Sequence, residues 1–318
     1  MAGHVVSVGD LVLDVVLPVT LPVVGGKHQE PAFRRVEPGG AANFLFAARH
    51  MGLQVTAAGA VGADAFGQLI LDALRDADVD TTHIVTPSGS TTTLVIALAD
   101  IDSGEHTFLG HYGSGPDVSY PEGLDATLSE ADALFVMGYT FAEKRIVPLA
   151  LRALERAKEI GLPVYLDVGP FMAAVSPDLV PQITAHADLI LMTEEEVGLV
   201  CDGCTGDEAY AALLERGPHT LIVKQGASGC VIVSREGQTH VPGYPAQVVD
   251  TIGAGDCFAA AFVAGRLRGL EMIDAARLAN AMGAATVQKA GAGRNAPSCA
   301  EVMDILARAG EQIDFPCS

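Results

Sequence analysis

The residues best suited to chemistry are Asp250-Thr251-Ile252-Gly253-Ala254-Gly255-Asp256, which run directly into the apolar stretch Cys257 to Gly265. Gly253, Ala254 and Gly255 are small. They let the chain turn tightly and let its amides approach an anion without interference from Cβ atoms. The apolar run predicts a helix over 256–267, so those amides lie at a helix mouth, where the dipole is positive. Asp256 closes the turn. An anion cradle beside a carboxylate suits phosphoryl transfer to an alcohol, with the amides receiving charge and Asp256 taking the hydroxyl proton. The competing use of Asp256 is as a plain helix N-cap. Its pKa is expected to be low at a helix start.

Elements that position such a site are visible along the chain. Strands are predicted at Val5–Val8, Val55–Ala60, Leu134–Met137, Val164–Asp167, Leu189–Met192, Leu221–Lys224 and Cys230–Val233. Helical patterns cover Ala42–Met51, Ala65–Ala77, Val147–Ile160, Asp207–Glu215 and Ile273–Lys289. Strands alternating with helices imply an α/β fold with a mostly parallel sheet covered on both faces. Ligands of such sheets bind beyond the carboxyl ends of the strands. Two stretches break the alternation. Residues 11–36 carry Pro18, Pro22, Pro31 and Gly25-Gly26, which exclude a long helix. Residues 91–109 read as a hairpin turning at Asp102-Ser103-Gly104.

Composition narrows the partners. The 318 residues carry 39 acidic and 19 basic side chains, a net charge of −20. Such a surface repels nucleic acid and anionic membranes. Mean hydropathy is +0.33, yet no stretch offers the roughly 18 to 20 uncharged apolar residues of a spanning helix. The first ten residues lack a basic segment and read as a strand, so a cytoplasmic location is expected. The six cysteines are then expected to be reduced. Cys201 and Cys204 have C-x-x-C spacing, but no second ligand pair of that spacing accompanies them, so two free thiols near a surface loop are expected.

Four segments, in order, resemble the signatures of the ribokinase-type (PfkB) carbohydrate kinases. They are Gly39-Gly40-Ala41-Ala42-Asn43, Val61-Gly62-Ala63-Asp64-Ala65-Phe66-Gly67, Lys224-Gln225-Gly226-Ala227-Ser228-Gly229-Cys230 and the 250–256 segment. The resemblance implies a ribokinase-like three-layer domain over 1–318, with a small β-sheet lid from about 11–36 and 91–109. It implies ATP and Mg²⁺ as cofactors, with K⁺ a further candidate, and a homodimer formed through the lid. Asp256 would be the base and Gly253-Ala254-Gly255 the anion hole. Asp14, Gly39, Gly40 and Asn43 would hold the sugar, with Asp10 sharing that task or capping a turn; the alternative for Asn43 is a helix-start cap. Lys224, Gly226 and Gly229 would lie along the nucleotide. Asn280 would face the adenine or else be a surface residue. Asp250, with carbonyls near Ile252, Lys289 and Gly291, would hold a monovalent cation; its alternative is an Asx turn. Glu196 would act on Mg²⁺ through water. Thr193 and Gly169 depart from the family, which often has Asn at both places.

The segments expected to face the substrate, residues 5–16, 39–43 and 91–112, contain no Lys or Arg. An anionic sugar would need a cationic partner. A small neutral sugar, ribose- or fructose-like, is therefore the expected acceptor, with Lys27, Arg34 and Arg35 the lid residues able to alter this. A nucleoside kinase is the first alternative, using Phe33, Phe108, Tyr112, Tyr139 or Phe141 as a shelf for the base. A non-catalytic sugar- or nucleotide-sensing protein is the second, and the intact 253–256 segment argues against it.

Overall fold

The computed structural model describes residues 3–101, 106–291 and 293–317. Thirteen strands are present among them: β1 His4–Val8, β2 Leu11–Val19, β3 Arg35–Gly40, β4 Gln54–Ala60, β5 Asp80–Val85, β6 Thr93–Asp100, β7 His106–His111, β8 Ala133–Met137, β9 Val164–Asp167, β10 Leu189–Thr193, β11 Thr220–Lys224, β12 Cys230–Ser234 and β13 Gly237–Val241. Nine form one sheet in the order β13-β12-β11-β10-β9-β8-β1-β4-β5. It is parallel apart from the β11-β12-β13 edge, which is antiparallel.

Side chains alternate across this sheet with the two-residue strand period. Val5, Phe135, Leu191 and Ile222 point to one face. Val6, Leu134, Ile190 and Leu221 point to the other. The first face is covered by α1 Ala41–His50, α2 Ala65–Asp76, α8 Ala254–Leu267, α9 Met272–Val287 and α10 Cys299–Arg308. The second is covered by α3 Leu124–Glu130, α4 Val147–Ile160, α5 Val180–His186, α6 Glu194–Val200 and α7 Gly206–Arg216. Phe44 of α1 stacks on Phe135 of β8 with ring centroids 3.6 Å apart. The alanines of α8 and α9 let those helices approach closely. A Cβ at Gly265 would already lie 3.2 Å from Ala275.

A second sheet, β3-β2-β6-β7, stands apart from the first. Its β2-β3 and β6-β7 pairs are antiparallel and its β2-β6 pair is parallel. It uses both stretches that broke the alternation, though β3 runs to Gly40, past the expected limit of 36. The turn expected at Asp102-Ser103-Gly104 lies outside the described residues. Among the described residues no helix is long and apolar enough to cross a membrane.

Several elements carried little periodic signal. Strand β13 (GQTHV) is mostly exposed and polar, and β5 begins Asp-Thr-Thr-His. The readable clue to α10 is its capping box, in which Ser298 and Glu301 satisfy each other's backbone amides. One cysteine expectation is corrected: Cys299 at the start of α10 is disulfide-bonded to Cys317. The other four are free, with Cys201 buried and Cys204 partly exposed.

The Phe44–Phe135 stack joins α1, which carries part of the candidate site, to the middle of the sheet. Phe135→Ala should lower unfolding stability by about 3–5 kcal/mol, the usual result of emptying a fully buried aromatic position. Urea melts measure this. A loss below about 1 kcal/mol would mean that the layer collapses into the vacated space.

Candidate active site

Three neighbouring parallel strands end at one place. β9 ends at Asp167, β10 at Thr193 and β11 at Lys224, with Thr193 in register with Lys224 and Leu191 with Asp167. Lys224 Nζ donates to Asp167 Oδ1 at 2.7 Å and to Oδ2 at 3.0 Å. Both side chains are almost fully buried. Helix α8 points its first turn at this pair. A Cβ at Gly255 would lie 3.4 Å from Lys224 Nζ.

The α8 start differs from expectation in three ways. The helix begins at Ala254, not at residue 256, and its N-cap is Gly253, held at φ 70°, where glycine is unstrained. Asp256 is therefore the third helical residue and not a cap. The Ala254 amide is partly occupied by a turn bond to Thr251 O at 3.3 Å. Among the described residues, the Gly255 and Asp256 amides have no backbone or side-chain acceptor, as first-turn amides do not. The third difference is charge. Burial pushes the Asp256 carboxyl above its ordinary pKa, and Glu196 adds to this; the bond from Asn43 and the charge of Lys224 oppose it. The residue as a whole is half-buried, and the crowding of its carboxyl by protein atoms outweighs the helix terminus.

Asn43 Nδ2 donates to Asp256 Oδ2 at 2.9 Å, tying α1 to α8. Gly40 precedes α1 at φ 58°, and a Cβ there would lie 2.5 Å from Asp10 O. That carbonyl accepts the Ala41 amide. Gly39 makes room for Asp14: a Cβ would fall 1.9 Å from Asp14 Oδ2. Asp14 thus reaches from β2 across the bare backbone of β3. Asp14, Asn43, Arg35, Glu37, Ile252 and Gly291 border one small cavity.

Burial, then Asp256, then Glu37 raise the Asp14 carboxyl to about 7. Asp10 is also raised to about 7, by burial and then Glu143, with Arg145 opposing. Arg145 grips Glu143 through Nε at 3.1 Å and Nη2 at 2.9 Å. Nothing in the sequence singled out Glu143 or Arg145, because the segment around them matches no motif. Of the three lid cations singled out in the sequence, Arg35 borders the cavity. Its Nε lies 3.5 Å from Glu37 Oε1. Its Nη1 is buried without a hydrogen-bond partner among the described residues.

The remaining site residues take varied positions. Asp250 Oδ1 accepts the Ile252 amide at 3.0 Å and Oδ2 the Gly291 amide at 2.8 Å, so the Asx turn is present and it clips two loops together. Glu196 is buried and closes a capping box with Thr193, accepting the Thr193 amide through Oε2 at 2.8 Å. Among the described residues no group of three or more His, Cys, Asp or Glu could hold a metal ion. Gly226 and Gly229 both have positive φ. A Cβ at Gly226 meets open space, whereas one at Gly229 would strike Val241 O. Asn280 is not on the surface. It is buried, and Nδ2 donates to Val241 O at 3.0 Å and Pro242 O at 3.1 Å. Gly169 has φ 67°, and a Cβ there would lie 3.0 Å from the Tyr139 ring. An Asn at 169 would not fit this backbone.

The chain belongs to the pfkB family of carbohydrate kinases, whose profile matches residues 2–299. It is a phosphotransferase with a hydroxyl group as acceptor. It is 28% identical to fructokinase-1 of Zea mays over 96% of this chain and 98% of that protein. It is 27% identical to 5-dehydro-2-deoxygluconokinase of Shouchella clausii over 86% of this chain and 87% of that protein. The fold is similar to that of Arabidopsis thaliana ribokinase solved with ribose and ATP, with TM-score 0.82 and 23% identity over 96% and 99% of the two chains.

The raised Asp10 carboxyl makes stability depend on pH. Its folded value of about 7 lies above the ordinary 3.8, so the folded protein binds that proton more tightly. Wild-type stability should fall relative to Asp10→Asn as pH rises from 5 towards 7, then run parallel to it. Thermal melts of both proteins between pH 5 and 8 measure the gap. A constant gap would mean that Asp10 is ionised throughout.

Proposed function

We propose that this protein transfers the γ-phosphoryl group of ATP to the hydroxymethyl group of a small neutral sugar, with Asp256 as the base. The observation that carries this is the Asp256 carboxylate in the first turn of α8, held by Asn43 at 2.9 Å beside amides without acceptors. Asn43 orients the carboxylate, and its raised pKa makes it a better proton acceptor than a helix-capping Asp. The Gly253-Ala254-Gly255 segment receives the phosphoryl charge, mainly through the Gly255 and Asp256 amides. Asp14 and Asn43 hold sugar hydroxyls above Gly39 and Gly40. The Gly226–Gly229 loop takes the nucleotide phosphates, and Lys224 precedes it at the strand end.

Mg²⁺ supplies charge neutralisation when bound with ATP. Glu196 suits it, since that ion commonly keeps its waters and uses one or two carboxylates plus phosphate oxygens. Asp250, joining the two loops, is the anchor for a monovalent cation such as K⁺. The exposed apolar residues Phe33, Val36, Phe108 and Leu109 of the lid region favour a homodimer through the second sheet.

The cavity's charges favour a neutral acceptor. Arg35 is offset by Glu37, and Asp14 adds a further acidic group. The fructokinase-like identity agrees. The unpartnered Arg35 Nη1 favours a second reading, a carboxylate-bearing sugar such as the one named for the Shouchella clausii relative. A screen of ADP release with ATP and Mg²⁺, with and without K⁺, separates these. Ribose and fructose should react; reaction of sugar acids alone, or of adenosine, inosine or cytidine alone, would replace the neutral-sugar assignment. Asp256→Asn should leave ATP binding intact and cut turnover at least about a hundredfold. Turnover close to wild type in that variant would remove Asp256 as the base.

A further inference from the structure

We propose that Lys224 is a catalytic residue that binds the phosphoryl group most tightly while it is in transit, and that Asp167 is its positioning residue. This rests on the kinase reading above, and assigns Lys224 a role beyond holding ground-state nucleotide.

The geometry is specific. Lys224 is the last residue of β11, so its side chain starts where the parallel strands open into the cleft. An ammonium has three N–H donors. Two are taken by the Asp167 oxygens at 2.7 and 3.0 Å. The third has no acceptor within hydrogen-bonding distance among the described residues. Nζ also adjoins the first turn of α8, 3.4 Å from where a Gly255 Cβ would stand. Gly255 has no Cβ, so nothing of that residue's side chain separates the ammonium from the turn that carries the base.

Charge reinforces the point. Burial lowers the Lys224 pKa, but Asp167 and then Glu196 outweigh it and hold it above the ordinary lysine value. Asp256 acts in the same direction. A permanently charged donor is therefore fixed in a dry setting by a paired carboxylate. Such a donor acts strongly where charge develops, because it needs no reorganisation when the reaction occurs. In the transfer, the bond from the γ-phosphorus to the ADP oxygen breaks and a bond to the sugar oxygen forms. The hydroxyl proton goes to Asp256. Lys224 keeps its three protons and exchanges none.

The test uses the full chain and the best acceptor from the ADP-release screen. Lys224→Met should lower kcat by roughly a hundred- to a thousandfold, the usual effect of losing one such donor. KM for ATP should stay within about threefold of wild type, because a transition-state contact is absent from ground-state binding. Affinity for ADP with aluminium fluoride should fall in step with kcat, while affinity for ADP alone should not. A kcat within about fivefold of wild type, or a loss confined to KM for ATP, would overturn the assignment and leave Lys224 as a nucleotide-binding or structural residue. Melting scans check folding. Should Lys224→Met not fold, Lys224→Arg and Asp167→Asn carry the test: the first misplaces the cation, and the second removes the carboxylate that aims it and holds its proton, so kcat should fall with KM for ATP retained, and unchanged kcat in both would overturn the assignment. A wild type inactive on every acceptor would defeat the kinase reading itself. An active wild type with an equally active Lys224→Met would defeat only this inference.

Discussion

Phosphoryl transfer with a carboxylate base requires two anions to share one small space. A carboxylate must touch the acceptor hydroxyl while phosphate oxygens arrive on the other side. At an effective dielectric constant near 20, two unit charges 4 Å apart repel by about 4 kcal/mol. The groups around Asp256 all bear on that repulsion. Asn43 spreads the carboxylate's charge through a 2.9 Å bond. The first-turn amides of α8 lie beside the carboxylate and, on the proposed reaction, would receive the phosphate charge. Lys224, anchored on Asp167, stands between the strand ends and the helix. Asn43, Asp167 and Lys224 all lie far from Asp256 in sequence. The sheet brings them together because parallel strands deliver their last residues to one edge.

The second sheet meets a different constraint. A sugar hydroxyl is best read by a fixed carboxylate, but fixing one means burying it, and burial disfavours its charge. Asp14 and Asp10 bear this, each raised to about 7. Asp14 lies over Gly39 because any side chain there would occupy the same space. Glu143 pushes Asp10 up further, and Arg145 beside it opposes that rise. A polyol that donates hydrogen bonds to these oxygens would favour their charged forms, so substrate binding and relief of buried charge are coupled. On the proposed function, the second sheet would recognise its ligand with carboxylates whose burial disfavours their charge.

Much of this could be read from residue types alone. The α/β alternation, the two stretches that interrupt it, and the small-residue turns before Asn43 and Asp256 rest on local patterns, and local patterns survive in a sequence. Other features depend on tertiary placement and leave no such mark. The Asp256 pKa was expected to be low because helix position is local, whereas the burial that raises it is not. Asn280 looked free to meet a ligand, yet the turn after β13 claims its amide. Glu143 and Arg145 belong to no motif. The Cys299–Cys317 bond joins a helix start to a tail with no periodic pattern.

The two departures from the family pattern have separate physical causes. Gly169 is demanded by its backbone: φ is 67°, and the Tyr139 ring fills the space a side chain would need. Thr193 instead does local work. Its hydroxyl accepts the Glu196 amide while Glu196 returns the bond, so α6 starts without help from an Asn. Both changes remove an amide side chain from the strand ends. The donor that remains there is the Lys224 ammonium, whose charge is steadier than an amide dipole and whose aim is set by two bonds to Asp167. A site short of neutral donors thus keeps its positive character through one buried cation, and the carboxylates around that cation are what hold its proton in place.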